Sequence, residues 1–520
     1  MKANKILFIL SILWGCFACT DGLEVIPENS VTFENYFKTE KDIETSLNAL
    51  RDEFRSTCAF NANKTPIDLG FVHDTLSSTS AQKSFNWDAS QFTPIYVDFF
   101  WNSHYAIICY ANILLENIDK AEITQDRKDY YIGLAHFYRG FTYFRIAQKW
   151  GEAPLQTDSR DISKKAKSSV ADILQFALDE TNLAIKLLPL RDGLIDANGS
   201  QVTDKATPSK EIAQALKADL CAWKAAINNE PELWQEAINA ANFVIDSCHY
   251  TLATDPEEVC TKVLPGGSDE GIFEIKFNYV EATRNPWTPM EEFVTFPIRP
   301  EDGRGDIKYC YARMFETVDK MYPGHFEGMI AEGVYQGDKR RLAYFYDLDT
   351  IRKNAEWHAL AEGYAYPYKF RKVQLGTTSW SQGKFECFAC DHIIYRLADL
   401  ILLRAECYAR INKNDLATKD LNRIRERAYG NRSHDYNAAT EGSDLRYIIF
   451  KEREKELLWE GKRWYDIVRN GYWKTELSKF HATQMTQQDV DNGALYMPVG
   501  YPAFNENSLM TQNKYWQARY

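Results

Sequence analysis

Glu452-Arg453-Glu454-Lys455-Glu456-Leu457, followed by Glu460-Gly461-Lys462-Arg463-Trp464-Tyr465-Asp466-Ile467-Val468-Arg469-Asn470-Gly471, is the stretch on which the reading of the fold turns. Its charges recur at helical spacing, so it predicts a helix from Asp444 to Gly461 and a shorter one from Trp464 to Gly471. Glu452 and Glu456 could be taken for a catalytic acid pair. Arg453, Lys455, Lys462 and Arg463 interleave with them, however, and an ion-pair network is the simpler account. The same holds for Arg396, Asp399, Arg404 and Glu406 further upstream.

Helical signals extend outward from this stretch. Thr39-Glu40-Lys41-Asp42 fits a capping box, with Ile43, Leu47 and Leu50 behind it. Helices are expected at about 97–118, 127–150 (stopped by Gly151) and 169–188. Thr207-Pro208 reads as an N-cap with proline at the first helical position, opening a helix to about Asn228. Glu230-Pro231 repeats that signal and leads to about Cys248. Later helices are expected from Ile394 to Ile411 and from an Asn414 cap to about Ala428. Trp101, Tyr143 and Phe144 sit on amphipathic faces and are expected in the core. The last forty residues read as coil with turns.

A weak repeat runs through these helices. Leu216-Lys217-Ala218-Asp219-x-x-Ala222 matches Leu403-Arg404-Ala405-Glu406-x-x-Ala409, and Tyr138-Arg139-Gly140 is a looser third copy. Small residues at such spacing let helices pack closely in antiparallel pairs, as in tetratricopeptide arrays. Residues 250–390 differ: Ile272 to Phe277 alternates like a short strand, and Gly, Pro and aromatics crowd the rest. Long irregular segments in compact proteins are usually functional.

The N-terminus reads as a secretory signal: Lys2 and Lys5, an apolar run from Ile6 to Trp14, then small or soft residues. That run is too short to span a bilayer, which takes ~20 residues. Ala18–Cys19 suits a lipoprotein cut before an acylated cysteine. Cys16 is the competing site, but the polar run Thr20 to Glu24 after Cys19 begins a tether. Acyl chains on Cys19 would anchor the protein, each buried methylene adding ~0.8 kcal/mol.

The 520-residue chain exceeds a single compact core and carries a net charge of −12, or about −14 without residues 1–18. That balance argues against nucleic acid, whose binding needs clustered Lys and Arg. Of eleven cysteines, nine remain after Cys16 and Cys19, an odd number without a disulfide framework. Cys387 and Cys390 form one CxxC, which reads as a structural pair, with a single disulfide as one form of it. Only His392 lies close by, too little for a zinc site. No metal ligand set, EF-hand pattern, HExxH, GxSxG, Walker loop or dinucleotide fingerprint occurs, and no catalytic residue is assigned. Paired carboxylates for glycoside hydrolysis stay open, because folding places such partners.

Aromatics make up 14% of the chain. Sugar rings stack their C–H faces on aromatic side chains, while Asn, Asp and Arg hydrogen-bond hydroxyls. Aromatics in Gly/Pro-rich loops are the contact candidates: Trp87, Tyr279, Trp287, Trp357 and Trp380, with Asp74, Asn278, Arg284 and Asn285 as polar neighbours.

Five stretches in order resemble the SusD/RagB family. Asp21-Gly22-Leu23-x-x-x-Pro27 is like its start after the lipid cysteine. Ala135 to Phe144, leading into Trp150-Gly151-Glu152-Ala153-Pro154-Leu155, looks like its arginine-and-aromatic helix, with Trp for Tyr in the closing turn. Tyr395-Arg396-Leu397-Ala398-Asp399 through Glu406 looks like its central helix. The 452–471 stretch is similar to its most distinctive signature. Leu495-Tyr496-Met497-Pro498-Val499 and Gln512-Asn513 resemble its C-terminal end, with Met-Pro-Val and Lys514 as departures.

The resemblance implies a mainly α fold: a tetratricopeptide-like helix-pair scaffold with a large loop-rich insert holding a few short strands. The expected division is signal peptide 1–18, lipidated tether 19–38, helical scaffold 39–250, variable ligand-binding segment 251–393 and C-terminal helical pairs with closing coil 394–520. It further implies an outer-membrane lipoprotein facing the cell exterior and lacking catalysis or cofactor beyond its lipid. Such a protein captures a glycan or oligosaccharide and partners a SusC-like TonB-dependent transporter. A peptide-capturing member, or a surface glycoside hydrolase, is the alternative. Ligands in the family meet the loops before the second helix and those of the insert, which agrees with the Trp87 region and residues 278–380. Cys19→Ser is expected to abolish incorporation of labelled palmitate and to move the protein out of the membrane fraction; unchanged labelling would reassign the anchor.

Overall fold

The computed structural model describes residues 36–61, 94–277, 279, 315–322, 330–331, 334–353, 368–379, 382–383, 385–477, 485–505 and 507–517. Helices α1 (Glu40–Arg55), α2 (Pro94–Asn117), α3 (Gln125–Lys149), α4 (Val170–Leu187), α5 (Lys210–Ile227) and α6 (Leu233–Ser247) come first. Helices α7 (Leu397–Arg410), α8 (Asn414–Tyr429), α9 (Leu445–Glu456) and α10 (Arg463–Asn470) follow the insert. Short strands lie between: β1 (Gly271–Ile275), β2 (Ile330–Ala331), β3 (Val334–Tyr335), β4 (Val373–Leu375), β5 (Phe385–Phe388) and β6 (His392–Arg396). They pair antiparallel as β1–β6, β2–β3 and β4–β5. The β1–β6 ladder, Gly271 opposite Arg396 and Ile275 opposite His392, ties the two ends of the insert together.

The helices start and stop where local chemistry allows. Thr39 closes its capping box with Asp42, the Asp42 N–H donating to Thr39 Oγ1 at 3.3 Å and the Thr39 N–H to Asp42 Oδ2 at 2.8 Å. Gly151, Gly430 and Gly471 stop α3, α8 and α10 with φ near +70°, conformations that favour glycine. Several starts and stops differ from the expected ones, among them α6, which begins at Leu233 and not at Pro231, and α8, whose cap is Lys413 with Asn414 already helical. Helix α5 begins at Lys210, past Thr207-Pro208: Asp204 Oδ1 holds the N–H groups of Ala206 and Thr207 at 2.9 Å in a turn, and the Lys210 N–H donates to Pro189 O at 2.9 Å. Ile394, Tyr395 and Arg396 are strand, because β1 recruits this β-branched and aromatic run before the helix opens. Helix α9 ends at Glu456, five residues before Gly461. The Glu456 carbonyl, which would continue the helix, instead accepts from Lys369 Nζ at 3.0 Å and Arg396 Nη2 at 2.9 Å.

The repeat maps onto three helix pairs. Positions on opposite strands of each pair run in reverse order, as antiparallel packing requires: a Cβ on Gly133 would meet Leu187 and Leu188 at 3.1 Å, and one on Gly140 would meet Glu180 and Ala177 at 3.0–3.1 Å. Gly140, Ala218 and Ala405 are equivalent, and the small side chain lets the second helix approach. The residue before each is a cation that reaches across its pair: Arg139 to Glu180 at 2.7 Å, Lys217 to Glu236 at 3.4 Å, Arg404 to Asp420 at 2.8 Å. The sequence repeat is therefore a repeated interhelical contact.

One large core runs through α1–α10 and takes in Trp101, Tyr143, Phe144, Trp150, Trp223, Trp464 and Trp516. A second, smaller core gathers Val259, Val263, Val318, Tyr322, Tyr344, Phe345, Phe370 and Phe388 from the insert, with Leu458 and Trp459 from the turn after α9.

Buried charge joins the two. Glu456, fully buried, faces Arg396 at 2.9 Å, Arg340 at 3.4 Å, and Arg427. Glu270 meets Arg396 at 2.6 Å and Arg427 at 2.7 Å; Glu452 meets Arg340 at 2.6 Å and Arg425 at 3.0 Å. A second set ties α7, α9 and α10: Arg453 to Asp399 at 2.8 Å and Asp466 at 2.9 Å, Arg469 to Glu406 at 2.7 Å. The expected ion-pair network is present, but most of its bonds run between elements; Asp466–Arg469 and Lys451–Glu454 are pairs along one helix. Cys390 carries a free thiol, so it forms no bridge to Cys387.

Removing one partner of a buried pair strands the others without solvent, a loss of roughly 3–5 kcal/mol. Glu456→Gln is accordingly expected to lower denaturant stability by about that much, whereas Lys262→Ala, in a pair two-thirds exposed on its lysine side, should leave it almost unchanged. Burial alone would raise the Glu452 carboxyl, but Arg340, Lys455 and Arg425 overcome it and hold it at about 2 against the ordinary 4.5. A depressed carboxyl contributes fully above its unfolded value and loses that contribution as pH falls through its folded one. Melting temperature should thus drop between pH 4.5 and 2, and Glu452→Gln should flatten that drop; an unchanged profile would remove Glu452 from the acid response.

Candidate functional site

Tyr279 is the one sequence-predicted contact residue among the described residues. It stands four residues past β1 and is 42% exposed. Asp74, Trp87, Asn278, Arg284, Asn285, Trp287, Trp357 and Trp380 lie outside the described residues, as does Cys19.

The described residues do form a cleft at the roots of both predicted loop segments. Cys58, four residues before the 62–93 stretch, and His104 on α2, after it, line one side. The strand residues His392, Ile393, Ile394 and Tyr395, which close the insert, line another. Phe141, Arg145 and Lys149 project from α3 at four-residue intervals, hence from one face. Asp219 on α5 and Glu460, Gly461 and Lys462 in the turn after α9 complete the wall. The cavity is small, about 60 Å³.

Each charged group is positioned by its neighbours. Arg145 donates to Gln148 Oε1 at 2.7 Å and Tyr465 OH at 3.0 Å, and lies over the Tyr465 ring at 4.5 Å. Lys462 donates to Ile394 O at 2.8 Å, pairs with Asp399 at 2.8 Å, and sits 4.6 Å above the Tyr395 ring. The Tyr395 hydroxyl donates to Asp219 Oδ2 at 3.0 Å; burial first, then Asp219, pushes it far above the usual tyrosine range. Glu460 is consumed by Arg396 at 2.7 Å and Lys369 at 2.5 Å. Burial would raise it, but those two cations hold it below the ordinary carboxylate value. Lys149 is buried beside Trp150, whose ring also meets His104 edge-on at 5.1 Å.

Sequence reading missed this cleft. Phe141, Arg145 and Lys149 share an i, i+4, i+8 spacing that could have been noticed, but nothing in the chain links them to His392 or Lys462. No group of three or more His, Cys, Asp or Glu among the described residues is arranged to hold a metal ion.

Helix pairs with a separately cored insert, joined by buried arginine and glutamate, define a helical scaffold protein of the kind seen in SusD homologues. A family model described as the SusD family matches residues 327–516, and one described as starch-binding associating with outer membrane matches residues 23–207. The chain belongs to the SusD/RagB family. It is 24% identical to SusD-like protein P38 of Formosa agariphila over 90% of this chain and 91% of that one. A SusD homolog from Bacteroides thetaiotaomicron superposes with a TM-score of 0.69 at 20% identity, covering 93% of this chain and all of that one. A laminarin-binding SusD-like protein superposes at 0.65 and 19% identity, covering 92% and 99%. The mainly helical fold and the family expected from the five motifs stand.

Lys462→Met is expected to change the Tyr395 environment without unfolding the chain: near-ultraviolet circular dichroism at neutral pH should change while the far-ultraviolet helical signal holds, since the ammonium lies over that ring.

Proposed function

We propose that this protein captures a glycan at the cell surface and passes it to a TonB-dependent outer-membrane transporter, without cleaving it. The family membership along most of the chain carries this reading. The outer-membrane association in the description of the 23–207 match and the laminarin binding of a structural neighbour support it. In this reading Cys19 bears the lipid anchor, residues 251–393 form the variable ligand-binding segment, and Tyr279 with the predicted Asp74, Trp87, Asn278, Arg284, Asn285, Trp287, Trp357 and Trp380 contributes contacts. Glu452 and Glu456, which an enzyme reading takes as paired acids, are each locked between two or more arginines and buried, unsuited to meet a substrate.

Soluble protein lacking residues 1–19 is expected to be retarded in native gels cast with at least one polysaccharide, with no reducing sugar released from the same mixtures. Released sugar would make the chain a hydrolase. Retention only by peptides would move the cargo to that class.

A further inference from the structure

The cavity at β6 has room for only a few waters. A larger hollow, about 660 Å³, lies where the starts of α1, α3 and α5 meet the end of α4. That volume falls within the ~300–1,000 Å³ common for ligand sites. None of the sequence-predicted contact residues lines it.

One wall is a short hairpin whose shape local chemistry dictates. Ile195 bridges to Gln201, and Asp196-Ala197-Asn198-Gly199 closes the turn between them. Asp196 Oδ1 accepts the N–H groups of Asn198 and Ser200 at 2.8 Å, and Gly199 takes φ +79°, which favours glycine. Arg127, in the first turn of α3, pins the hairpin: Nη1 donates to Ile195 O at 2.8 Å, Nε to Glu40 Oε1 at 2.6 Å and Nη2 to Tyr131 OH at 2.8 Å. The wall is thus formed before a ligand arrives.

The lining is amphipathic. Leu187, Pro189 and Ile195 supply its apolar part. Ile195 is 44% exposed, and Leu190, next to Pro189, is 47% exposed, apolar surface that the chain leaves uncovered. Polar groups ring this surface. Asp126, Lys186 and Lys210 make no side-chain hydrogen bond or ion pair among the described residues, and Asp129 accepts from Gln125 Nε2 at 2.7 Å. Glu40 is paired with Arg127, so Asp126, Asp129 and Asp196 stand against Lys186 and Lys210. No strong excess of either sign selects for a charged ligand. A matching ligand carries hydroxyls for the carboxylates and ammoniums, a flat C–H face for the apolar part and no net charge.

We propose that this hollow is a second glycan-binding site, holding a segment of neutral oligosaccharide with its C–H face on Ile195 and Pro189 and its hydroxyls on Asp126, Lys186 and Lys210. The inference rests on the glycan-capture reading and adds a site apart from the predicted contacts of the insert. Two sites on one chain hold a long polymer more firmly than either alone, because the second contact is intramolecular.

The soluble chain without residues 1–19 is run in native gels cast with laminarin, glycogen, mannan or xylan. A hexasaccharide of the polymer that retards it is then followed by calorimetry and by hydrogen–deuterium exchange. Two hexasaccharides per chain are expected, with exchange slowed in peptides covering 183–199. Ile195→Glu, at an exposed position, should reduce the count to one and remove that protection, with far-ultraviolet circular dichroism checking its fold. Lys186→Ala, also exposed, is the second variant and should weaken the protected site about tenfold, the factor for one hydrogen bond to a charged group. Binding with no protection in 183–199, at any count, overturns the second site and leaves glycan capture standing. Protection there that both variants leave unchanged also overturns it. Retardation by none of the four polymers overturns both.

Discussion

The carboxylate of Glu456 is the point on which the fold depends. It lies fully buried among Arg396, Arg340 and Arg427, and its own backbone carbonyl accepts from Lys369 and Arg396. Those cations come from four separate places: the last residue of β6, the short helix Arg340–Tyr344 and the 369 region of the insert, and α8. An ion removed from water at a cost of several kcal/mol is tolerable only when such partners surround it completely. That requirement is strict about geometry. It ends α9 at Glu456, sets the register of β6 against β1 and brings the core of the insert onto the scaffold through Trp459 and Leu458. The network specifies position more than it adds net stability, because desolvation and attraction nearly offset.

Around that centre the helix pairs repeat a simpler device. A small residue at 140, 218 and 405 permits close approach, and the cation before it bonds to an acid on the second helix. Each pair has an apolar stripe on both sides and is stabilised mainly by stacking on its neighbours, as in other repeat scaffolds. The cleft opens where the first pair, the α5 helix, β6 and the turn after α9 converge, so its cations are held by the same elements the buried network aligns. Rigid support of this kind suits recognition, since the groups are oriented before a ligand arrives.

Much of the scaffold was legible because its signals are local. The Thr39 capping box, the glycines after α3 and α10 and the 3.6-residue apolar spacing act over a few residues, and each appears where expected. Three of the misplaced boundaries share a cause. Pro189 O supplies the partner for the Lys210 N–H, β1 recruits Ile394 to Arg396, and Lys369 claims the carbonyl of Glu456. In each case a residue distant in sequence satisfies a backbone group that local rules assign to the helix. Cys390, grouped with Cys387 by spacing alone, instead directs its thiol to the Lys372 carbonyl at 3.6 Å.

The amino-acid sequence by itself determined the family, the helix-pair scaffold and the structural character of the 452–471 charges, because periodicity, caps and ordered motifs are properties of neighbouring residues. Only the tertiary structure decided which acid meets which arginine and that Phe141, Arg145, Lys149, His392 and Lys462 share one cleft. Those groups lie from 13 to 320 positions apart in the chain, and only the completed packing, which excludes water around Glu456 and Glu460, makes one partner better than another.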